Sequence, residues 1–290
     1  MNSPAVSIAP TAPAPGDSSI GGILLASGKI TPENAERVLR MQKDLGIRFG
    51  EAAQRLGLIS EADIQQVLAR QFDYPYLQAG EKRYSDKLLA AYQPFSPQVE
   101  KLRAVRSQLM LRWFARGRKA LTVIEVSTGD GAPMFTANLA VVFSQLGERT
   151  LLVDANLREP SQLATFDLSA RPGLSDVLAG RADSGAVTKI DSFVSLSLLG
   201  AGTVPPNPLE LLSRQSFTSL NAELEAGYDV VLYNVAPFAL GADALAVAAR
   251  TGGVLLVART NQTPLADVSQ IIEEVTSSGI EVVGAVMVDY

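Results

Sequence analysis

The sequence predicts an α/β protein in which a doubly wound parallel sheet follows a small helical domain built from a tandem repeat. From residue 121 to residue 290, apolar strand patterns alternate with amphipathic helix patterns, an order typical of parallel sheets with helices on both faces. A glycine-rich turn, Gly129-Asp130-Gly131, directly follows the first apolar strand. Near the N-terminus, residues 19–42 and 48–71 repeat one pattern, and such self-similarity indicates a repeated structural unit.

Composition excludes several kinds of chemistry. The chain of 290 residues contains no cysteine and no histidine, which rules out disulfides, thiolate nucleophiles, imidazole bases and most zinc or iron sites. No apolar run approaches the roughly 20 residues that a membrane-spanning helix needs. The net charge of −5 argues against general nucleic-acid binding.

Residues 1–17 are rich in proline, alanine and serine, and they lack the basic start and apolar core of an export signal. We expect this segment to be a disordered tail. A cytoplasmic protein without a membrane span is the simplest interpretation.

Residues 18–78 form the predicted repeat domain, in which each copy is a short helix, a glycine turn and a second helix. Thr31 before Pro32, and Ser60 three residues before Asp63, are typical helix-start signals. On these residues alone, the domain is a small helical interaction module whose glycines end helices. The equivalent positions of the two copies are Ser19, Ile20, Gly21, Gly28, Leu39 and Gln42, and then Arg48, Phe49, Gly50, Gly57, Leu68 and Gln71.

The two copies resemble the N-terminal MshEN domain of type II secretion and pilus ATPases, whose tandem motifs bind cyclic di-GMP. The second copy matches the motif throughout, whereas the first has Ser19 in place of an arginine and Ala35 in place of a leucine. An arginine can form two parallel hydrogen bonds with a guanine edge or a phosphate and can stack on a base, and a serine can do neither. The resemblance therefore implies a cyclic di-GMP site that uses Arg48 and Gln71 and has one weakened half. A fold kept only for protein contact is the alternative.

Residues 79–96 are predicted to be a linker with one short helix. A longer helix is expected after Ser96-Pro97, and its apolar residues recur at helical spacing, so this face should pack against the rest of the protein. These apolar residues are Leu102, Val105, Leu109 and Trp113.

The same helix carries many basic residues, a pattern that most often marks a solvated face. Glu100, Arg103 and Arg106 form an E-x-x-R-x-x-R motif, which resembles a motif that mediates ring-like self-association in bacterial tyrosine kinases. A spacing of three places the three charges on neighbouring turns, where arginines can bind a partner's carboxylates. The resemblance implies contact with another subunit or partner.

The remaining elements alternate through the C-terminal region. After the first strand, from Leu121 to Val126, and the glycine turn, helices are predicted at 135–147, 209–226, 242–250 and 265–279, and strands at 149–156, 196–202, 228–238, 254–260 and 282–290. Ligands of such folds lie at the carboxyl ends of the strands, where the glycine turn, Asp154 and Asn234 are placed.

The glycine turn is placed where a phosphate-binding loop is found. In a working loop, backbone N–H groups and the positive helix end hold the phosphates, a lysine reaches the terminal ones, and a Ser/Thr hydroxyl binds magnesium. Here Ala132 and Pro133 follow the second glycine. The backbone cradle is therefore kept without its cation and its metal ligand.

Residues 97–290 are similar to the cytoplasmic tyrosine kinases (BY-kinases) of bacterial exopolysaccharide export, of the EpsG-like kind, and more distantly to ParA/MinD ATPases. The similarity lies in ANLAVVFSQLGERTLLVDANLREP, PGLSDVLAG, GTVPPNPLELL and YDVVLYNVAP, and EpsG-like proteins also carry the N-terminal repeat. It implies a P-loop fold of the ParA/MinD/BY-kinase type. Carried over by position, the family's lysine is Ala132, its magnesium-binding Ser/Thr is Pro133, its second aspartate after the next strand is Asn156, its Walker B aspartate is Asn234 and its adenine-contacting asparagine is Val288, while Asp154 and Arg158 are retained.

These differences imply an inactive enzyme, because phosphoryl transfer depends on positioned cations and metal. Removing one charge-stabilising group typically costs about 10²–10³-fold in rate, and Tyr290 is a single C-terminal tyrosine where the family has a cluster. We therefore expect no catalytic residue, no metal and no use of ATP–Mg, and a scaffold that binds a kinase paralogue or the cytoplasmic tail of a membrane polysaccharide co-polymerase. An active tyrosine autokinase or ATPase of the same pathway and a stand-alone cyclic di-GMP receptor are the alternatives. Residual magnesium-free nucleotide binding by Gly129, Gly131 and the helix end is a further alternative for the inactive enzyme.

Overall fold

The computed structural model describes residues 19–71, 77 and 83–289, so the predicted disordered tail and Tyr290 lie outside the described residues. The chain forms two compact units that divide between residues 74 and 75. Within the described ranges, no helix is long and apolar enough to cross a membrane. In the same ranges, acidic side chains do not gather in groups of three that could hold a metal ion.

The first unit consists of the two predicted helix–turn–helix copies. Its helices are α1 (Ile20–Ala26), α2 (Pro32–Leu45), α3 (Phe49–Arg55) and α4 (Glu61–Gln71). Both predicted helix starts are capped: Thr31 Oγ1 accepts a hydrogen bond from Asn34 N at 3.3 Å, and Ser60 Oγ accepts one from Asp63 N at 3.2 Å. Helices α1 and α2 contact α4 and α3 respectively. The two copies therefore interlock around one small core, which consists of Leu24, Ile30, Ala35, Val38, Ala52, Ala53, Ile59 and Val67.

The second unit is a seven-stranded sheet covered by helices. Its strands are β1 (Ala120–Glu125), β2 (Thr150–Asp154), β3 (Thr188–Lys189), β4 (Leu196–Leu199), β5 (Val230–Asn234), β6 (Gly253–Arg259) and β7 (Glu281–Val288). Its α-helices are α5 (Leu89–Tyr92), α6 (Pro97–Arg112), α7 (Ala132–Gln145), α8 (Gln162–Thr165), α9 (Leu174–Leu178), α10 (Pro208–Leu212), α11 (Gln215–Gly227), α12 (Asp243–Thr251) and α13 (Leu265–Ser277).

The strand order is β3-β4-β2-β5-β1-β6-β7, and every pair is parallel except β3 with β4. The predicted doubly wound parallel sheet is confirmed, with a short antiparallel strand at one edge. Strand β5 lies between β1 and β2, and Asp154 of β2 is in register with Asn234 of β5. This order brings the carboxyl ends of three strands together beside the glycine turn.

Strands β1, β2, β4 and β5 are buried along their whole length, whereas β3 and β7 at the edges of the sheet are partly exposed. In β1, Leu121 and Val123 contribute to the core beneath α6 and α7, whereas Ala120 and Ile124 contribute to the core on the opposite face. Successive side chains of a strand point to opposite faces, so a continuous apolar run is required when both faces are covered.

The predicted helix over 209–226 is wrong as a single element. Helix α10 ends at Leu212, and α11 begins after Arg214, whose backbone is extended with φ −67° and ψ 150°. Leu212 and Phe217 are both fully buried in the same core, so the apolar pattern continues across the break. The predicted strand over 228–238 is also too long, since β5 covers only Val230–Asn234.

The described part of the predicted linker, residues 83–96, lies within the second unit. Leu88, Ala90 and Ala91 are fully buried. The Asn138 side chain of α7 accepts a hydrogen bond from Ala90 N at 2.8 Å and donates one to Lys87 O at 3.1 Å. This segment is therefore held by a buried polar side chain as well as by apolar packing.

Candidate functional site

The glycine turn connects β1 to α7 and has the backbone shape of a phosphate-binding loop. Gly129 and Gly131 both have φ +93°, a left-handed conformation that L side chains rarely adopt. Gly131 is the N-cap residue of α7 and supplies no side-chain cap. The N–H groups at the start of this 14-residue helix therefore point into the turn, where the helix dipole favours negative charge.

The first turn of α7 contains neither of the groups that a working loop uses. Ala132 is fully buried, and Pro133 occupies the second helical position and is half-buried. Proline also has no N–H, so the helix start has one donor fewer. The Pro133 carbonyl accepts a hydrogen bond from Gln162 Nε2 at 3.1 Å, which fastens the start of α7 to α8.

A carboxylate from this chain lies inside the turn. Glu125, the last residue of β1, accepts a hydrogen bond on Oε1 from Gly131 N at 2.5 Å, and it is only 4% exposed. Burial raises the pKa of this carboxyl group, while hydrogen bonds from the N–H groups of Gly131, Ala132 and Gly129 act in the opposite direction. Sequence reasoning missed Glu125, although an acidic residue at the end of a buried apolar strand is a recognisable signal.

Asp130, predicted to belong to the nucleotide site, lies in the turn and joins it to the segment after β6. Its carboxylate accepts hydrogen bonds from Ser127 N at 2.8 Å and from Thr263 Oγ1 at 2.8 Å, and it is 3% exposed. On the outer side, Arg259 Nη1 donates to Gly129 O at 3.4 Å. The turn is therefore connected to the segment that follows β6.

Asp154 is fully buried, and its carboxylate accepts three hydrogen bonds from groups of this chain. Asn234 Nδ2 donates to Asp154 Oδ1 at 3.0 Å, and the N–H groups of Ser161 and Gln162 each donate to Oδ2 at 2.9 Å. Burial raises the pKa of Asp154, and these donors oppose that shift. Within the described part of the chain, Asn234 Oδ1 is buried without a hydrogen-bond partner.

Asn156 and Arg158, also predicted to belong to the nucleotide site, form contacts with other parts of the second unit. Asn156 Oδ1 accepts a hydrogen bond from Glu159 N at 3.0 Å, which is a local turn contact. Arg158 forms a bidentate ion pair with Asp243, in which Nε lies 2.6 Å from Oδ2 and Nη2 lies 3.1 Å from Oδ1. The structure thus joins the end of β2 to the start of α12 through Arg158.

In the first unit, close packing explains two of the repeated glycines. A Cβ atom built on Gly21 would lie 3.1 Å from the Phe49 ring, and one built on Gly50 would lie 3.1 Å from Ile64 Cδ1. Gly28 and Gly57 have φ +68° and +67°, the conformation in which glycine ends a helix. These four glycines are therefore required by the fold itself.

The candidate dinucleotide residues occupy equivalent places in the two copies. Ser19 and Arg48 are the N-cap residues of α1 and α3. Ser19 Oγ accepts a hydrogen bond from Gly22 N at 3.1 Å, whereas Arg48 forms no side-chain cap and is exposed. Leu39 of α2 is 55% exposed. The side chain of Gln71 lies outside the described part of the structure, while Ile20, Gln42 and Leu68 are half-buried.

Both arginines of the charged motif of α6 form contacts within the second unit. Arg103 forms an ion pair with Glu100, and its side chain is 15% exposed. Arg106 Nη1 donates to Val142 O of α7 at 2.9 Å. Glu100 remains 62% exposed, so it is the member of the motif that a partner can reach most easily.

The predicted packing face of α6 is confirmed. Leu102 and Leu109 are buried against α7, and Trp113, just after the helix, is fully buried with its indole Nε1 donating to Ala120 O at 2.9 Å.

Comparisons with known proteins agree with this fold. No family model matches the chain. Over 209 residues it is 32% identical to the tyrosine-protein kinase Wzc of Salmonella typhi, a match that covers 72% of this chain and 29% of Wzc. The chain thus spans less than a third of that relative's length.

A shorter relative is covered almost completely. Over 205 residues the chain is 30% identical to the tyrosine-protein kinase YwqD of Bacillus subtilis, covering 71% of this chain and 86% of YwqD. Among solved structures, the kinase domain of Escherichia coli tyrosine kinase ETK matches with a TM-score of 0.67 and 28% identity, covering 72% of this chain and 84% of that domain. With this sheet order, this turn between β1 and α7, and this coverage of YwqD, the chain belongs to the bacterial tyrosine-protein kinase family.

Proposed function

We propose that this chain is a catalytically inactive member of its family that acts as a scaffold and regulator in exopolysaccharide synthesis and export. The observation that carries the proposal is the first turn of α7, where Ala132 and Pro133 stand at the positions of the loop lysine and the magnesium-binding hydroxyl. The amide of Asn234 stands where the family has a metal-associated carboxylate. The site therefore lacks the groups that neutralise and position a triphosphate.

The first turn of α7 carries no positive side chain at positions 132 and 133. Phosphoryl transfer requires cations around the transferred group, because negative charge is spread over its oxygens in the transition state. Asp154 accepts three hydrogen bonds from this chain, so its oxygens are already used for structural contacts. Magnesium binding through this carboxylate would compete with contacts that hold β2, β5 and the segment before α8.

A scaffold needs a partner, and the family resemblance supplies the proposed classes. We expect a kinase paralogue or the cytoplasmic tail of a membrane polysaccharide co-polymerase, bound in a homo- or hetero-oligomer. The protein would then be cytoplasmic and peripheral at the inner membrane through that partner. Exposed Glu100 on α6 is the candidate contact.

The test is turnover by the purified full chain. ATP hydrolysis and tyrosine phosphorylation are measured with magnesium, with EDTA, and beside YwqD as a positive control. We expect turnover at the buffer background and co-purification with the membrane partner. Magnesium-dependent turnover at the rate of YwqD would refute the proposal.

We further propose cyclic di-GMP as the regulatory input of the first unit. Arg48 favours this ligand because it is exposed at the start of α3, where a guanidinium can contact a guanine edge or phosphate. Ser19 at the equivalent place in α1 provides no such contact, so we expect one weakened half-site. A stand-alone receptor role is the alternative.

Isothermal titration of the full chain with cyclic di-GMP, and with ATP–Mg on the same sample, tests this input. Arg48→Ala should abolish the heat with the dinucleotide. Arg55→Ala is the matched control, since it removes the same charge from the same helix and breaks only a surface ion pair with Glu51, which is worth about 0.3–0.5 kcal/mol. Equal binding by both variants would contradict the assignment.

A further inference from the structure

The turn between β1 and α7 contains a buried carboxyl group that belongs to the chain, that of Glu125. Glu125 Oε1 accepts a hydrogen bond from Gly131 N at 2.5 Å, and the N–H groups of Ala132 and Gly129 act to lower the pKa of this carboxyl group against the effect of burial. These are the backbone donors that a phosphate-binding loop offers to phosphate oxygens. The carboxylate thus uses the donors that a bound nucleotide needs.

A purely structural role does not account well for this arrangement. Helix starts are usually capped by short side chains such as Ser, Thr, Asn or Asp, and an uncapped start facing solvent can be satisfied by water. Here the side chain comes from the preceding strand and is 96% buried, since only 4% of its surface is exposed. A buried carboxylate is costly unless hydrogen bonds compensate it, so its position inside the turn requires the donors of the turn.

The surrounding charges make a second anion unfavourable. Asp130 lies in the same turn and is 3% exposed, and its carboxylate raises the pKa of Glu125 through like-charge repulsion. Position 132 supplies no ammonium to balance an incoming phosphate. A nucleotide phosphate would therefore have to displace one carboxylate and approach another.

We propose that Glu125 is an internal substitute for phosphate that fills the cradle and excludes nucleoside di- and triphosphates. Glu125 is in this respect a specificity-determining residue. The inference rests on the proposed inactive role and deepens it, because it assigns the loss of nucleotide binding to a residue that is present as well as to residues that are absent. Restoring Ala132→Lys and Pro133→Ser alone should then leave the cradle closed.

The experiment compares binding of pyrophosphate and of ADP, without metal, to the full-length wild type and two variants. Glu125→Ser removes the carboxylate and its length, and Glu125→Gln keeps the length while removing the charge. Glu223→Gln is the control for net charge, since Glu223 is exposed on α11. Folding of each variant is checked by circular dichroism and thermal melting.

We expect no binding by the wild type or by Glu223→Gln at millimolar ligand. Glu125→Ser should bind at least tenfold more tightly than the wild type, and Glu125→Gln should bind with a smaller gain. If Glu125→Ser fails to fold, the gain in Glu125→Gln decides. Wild-type binding equal to that of the folded variants, or no gain in any folded variant, would overturn the inference.

The outcome is separable from that of the proposed function. Turnover of ATP–Mg by the wild type would refute inactivity, whatever Glu125 does. An inactive wild type whose Glu125 variants gain no anion binding would leave inactivity in place and refute the role of Glu125 alone.

Discussion

Restoring the missing carboxylate at the end of β5 should destabilise the second unit instead of activating it. Asn234 Nδ2 donates to Asp154 Oδ1 at 3.0 Å, and both side chains are fully buried. Asn234→Asp replaces this donor by an acceptor, so two carboxyl groups would face each other. Positions 132 and 133 carry alanine and proline, so neither an ammonium group nor a hydroxyl group is present there to offset the added charge.

The expected loss of stability in Asn234→Asp follows from the distance between positions 234 and 154 and from the burial of both side chains. Two unit charges 3.0 Å apart repel by about 5 kcal/mol at an effective dielectric constant of about 20. The pair can lower this cost by sharing a proton, and losing one partner of a buried pair typically costs about 3–5 kcal/mol. We therefore expect the variant to lose about 4 kcal/mol of stability at neutral pH, and its melting temperature to fall by about 10 °C for a domain of this size.

Asn156→Asp is the matched control. Asn156 is also buried after a strand, but its Oδ1 accepts a hydrogen bond from Glu159 N, and an aspartate can accept the same bond. Thermal melting at pH 7 and pH 5, with and without magnesium, compares both variants with the wild type. Similar melting temperatures for Asn234→Asp and Asn156→Asp, or full rescue of Asn234→Asp by magnesium, would refute the argument.

Three further changes test separate parts of the structure. Gly253→Ala places a Cβ 2.4 Å from Trp113 Cη2, and this overpacking should cost about 1–3 kcal/mol in urea unfolding; an unchanged midpoint would contradict the packing. The hydrogen bond from the Lys29 ammonium is the main cause that lowers the pKa of Asp63 to about 2. The free energy of unfolding of the wild type should therefore exceed that of Asp63→Asn by about 1 kcal/mol at neutral pH. This difference in stability is present above the unfolded pKa near 3.8 and is lost as the pH falls toward 2. Amide exchange in α1 and α4 should therefore differ between the wild type and Asp63→Asn more at pH 7 than at pH 3. A difference that does not depend on pH would contradict the prediction. Burial raises the pKa of Glu125, so its favourable contribution is present at low pH and is lost as the pH rises through the folded-state pKa. Thermal melts should therefore favour Glu125→Gln over the wild type more at pH 7 than at pH 4, and the reverse order would contradict the sign.

The parts of the fold that depend on local pattern could be predicted from the sequence. Gly129 and Gly131 marked the turn, and both have the left-handed backbone that glycine permits. Thr31 and Ser60 marked helix starts that are capped as expected. Such features are determined by residues three or four positions apart, and a sequence displays these directly.

The parts that depend on distant neighbours could not be predicted. The hydrogen bond between Asn234 and Asp154 requires β5 to lie beside β2, and the spacing of strands in the sequence does not specify their order in the sheet. The motif that contains Arg106 resembles one for subunit contact, and the hydrogen bond from Arg106 to Val142 O of α7 could not be seen in the sequence. The position of Glu125 inside the turn depends on where the backbone carries the end of β1, although its charge in an apolar strand is visible in the sequence.

The proposed inactive role, together with the contacts of Glu125 and Asp154, has a consequence for regulation. A ligand that binds only the folded state stabilises it in proportion to its saturation, and it can shift a conformational equilibrium only through different affinities for the two states. Glu125 accepts a hydrogen bond from Gly131 N, and Asn234 donates one to Asp154, so on the proposed function ATP–Mg is expected to have no free energy of binding with which to change the conformation of the second unit. On the proposed function, partner binding by the second unit is therefore independent of the nucleotide. Any switch must act through another part of the chain, and the exposed Arg48 of the repeat unit is the proposed place for that input.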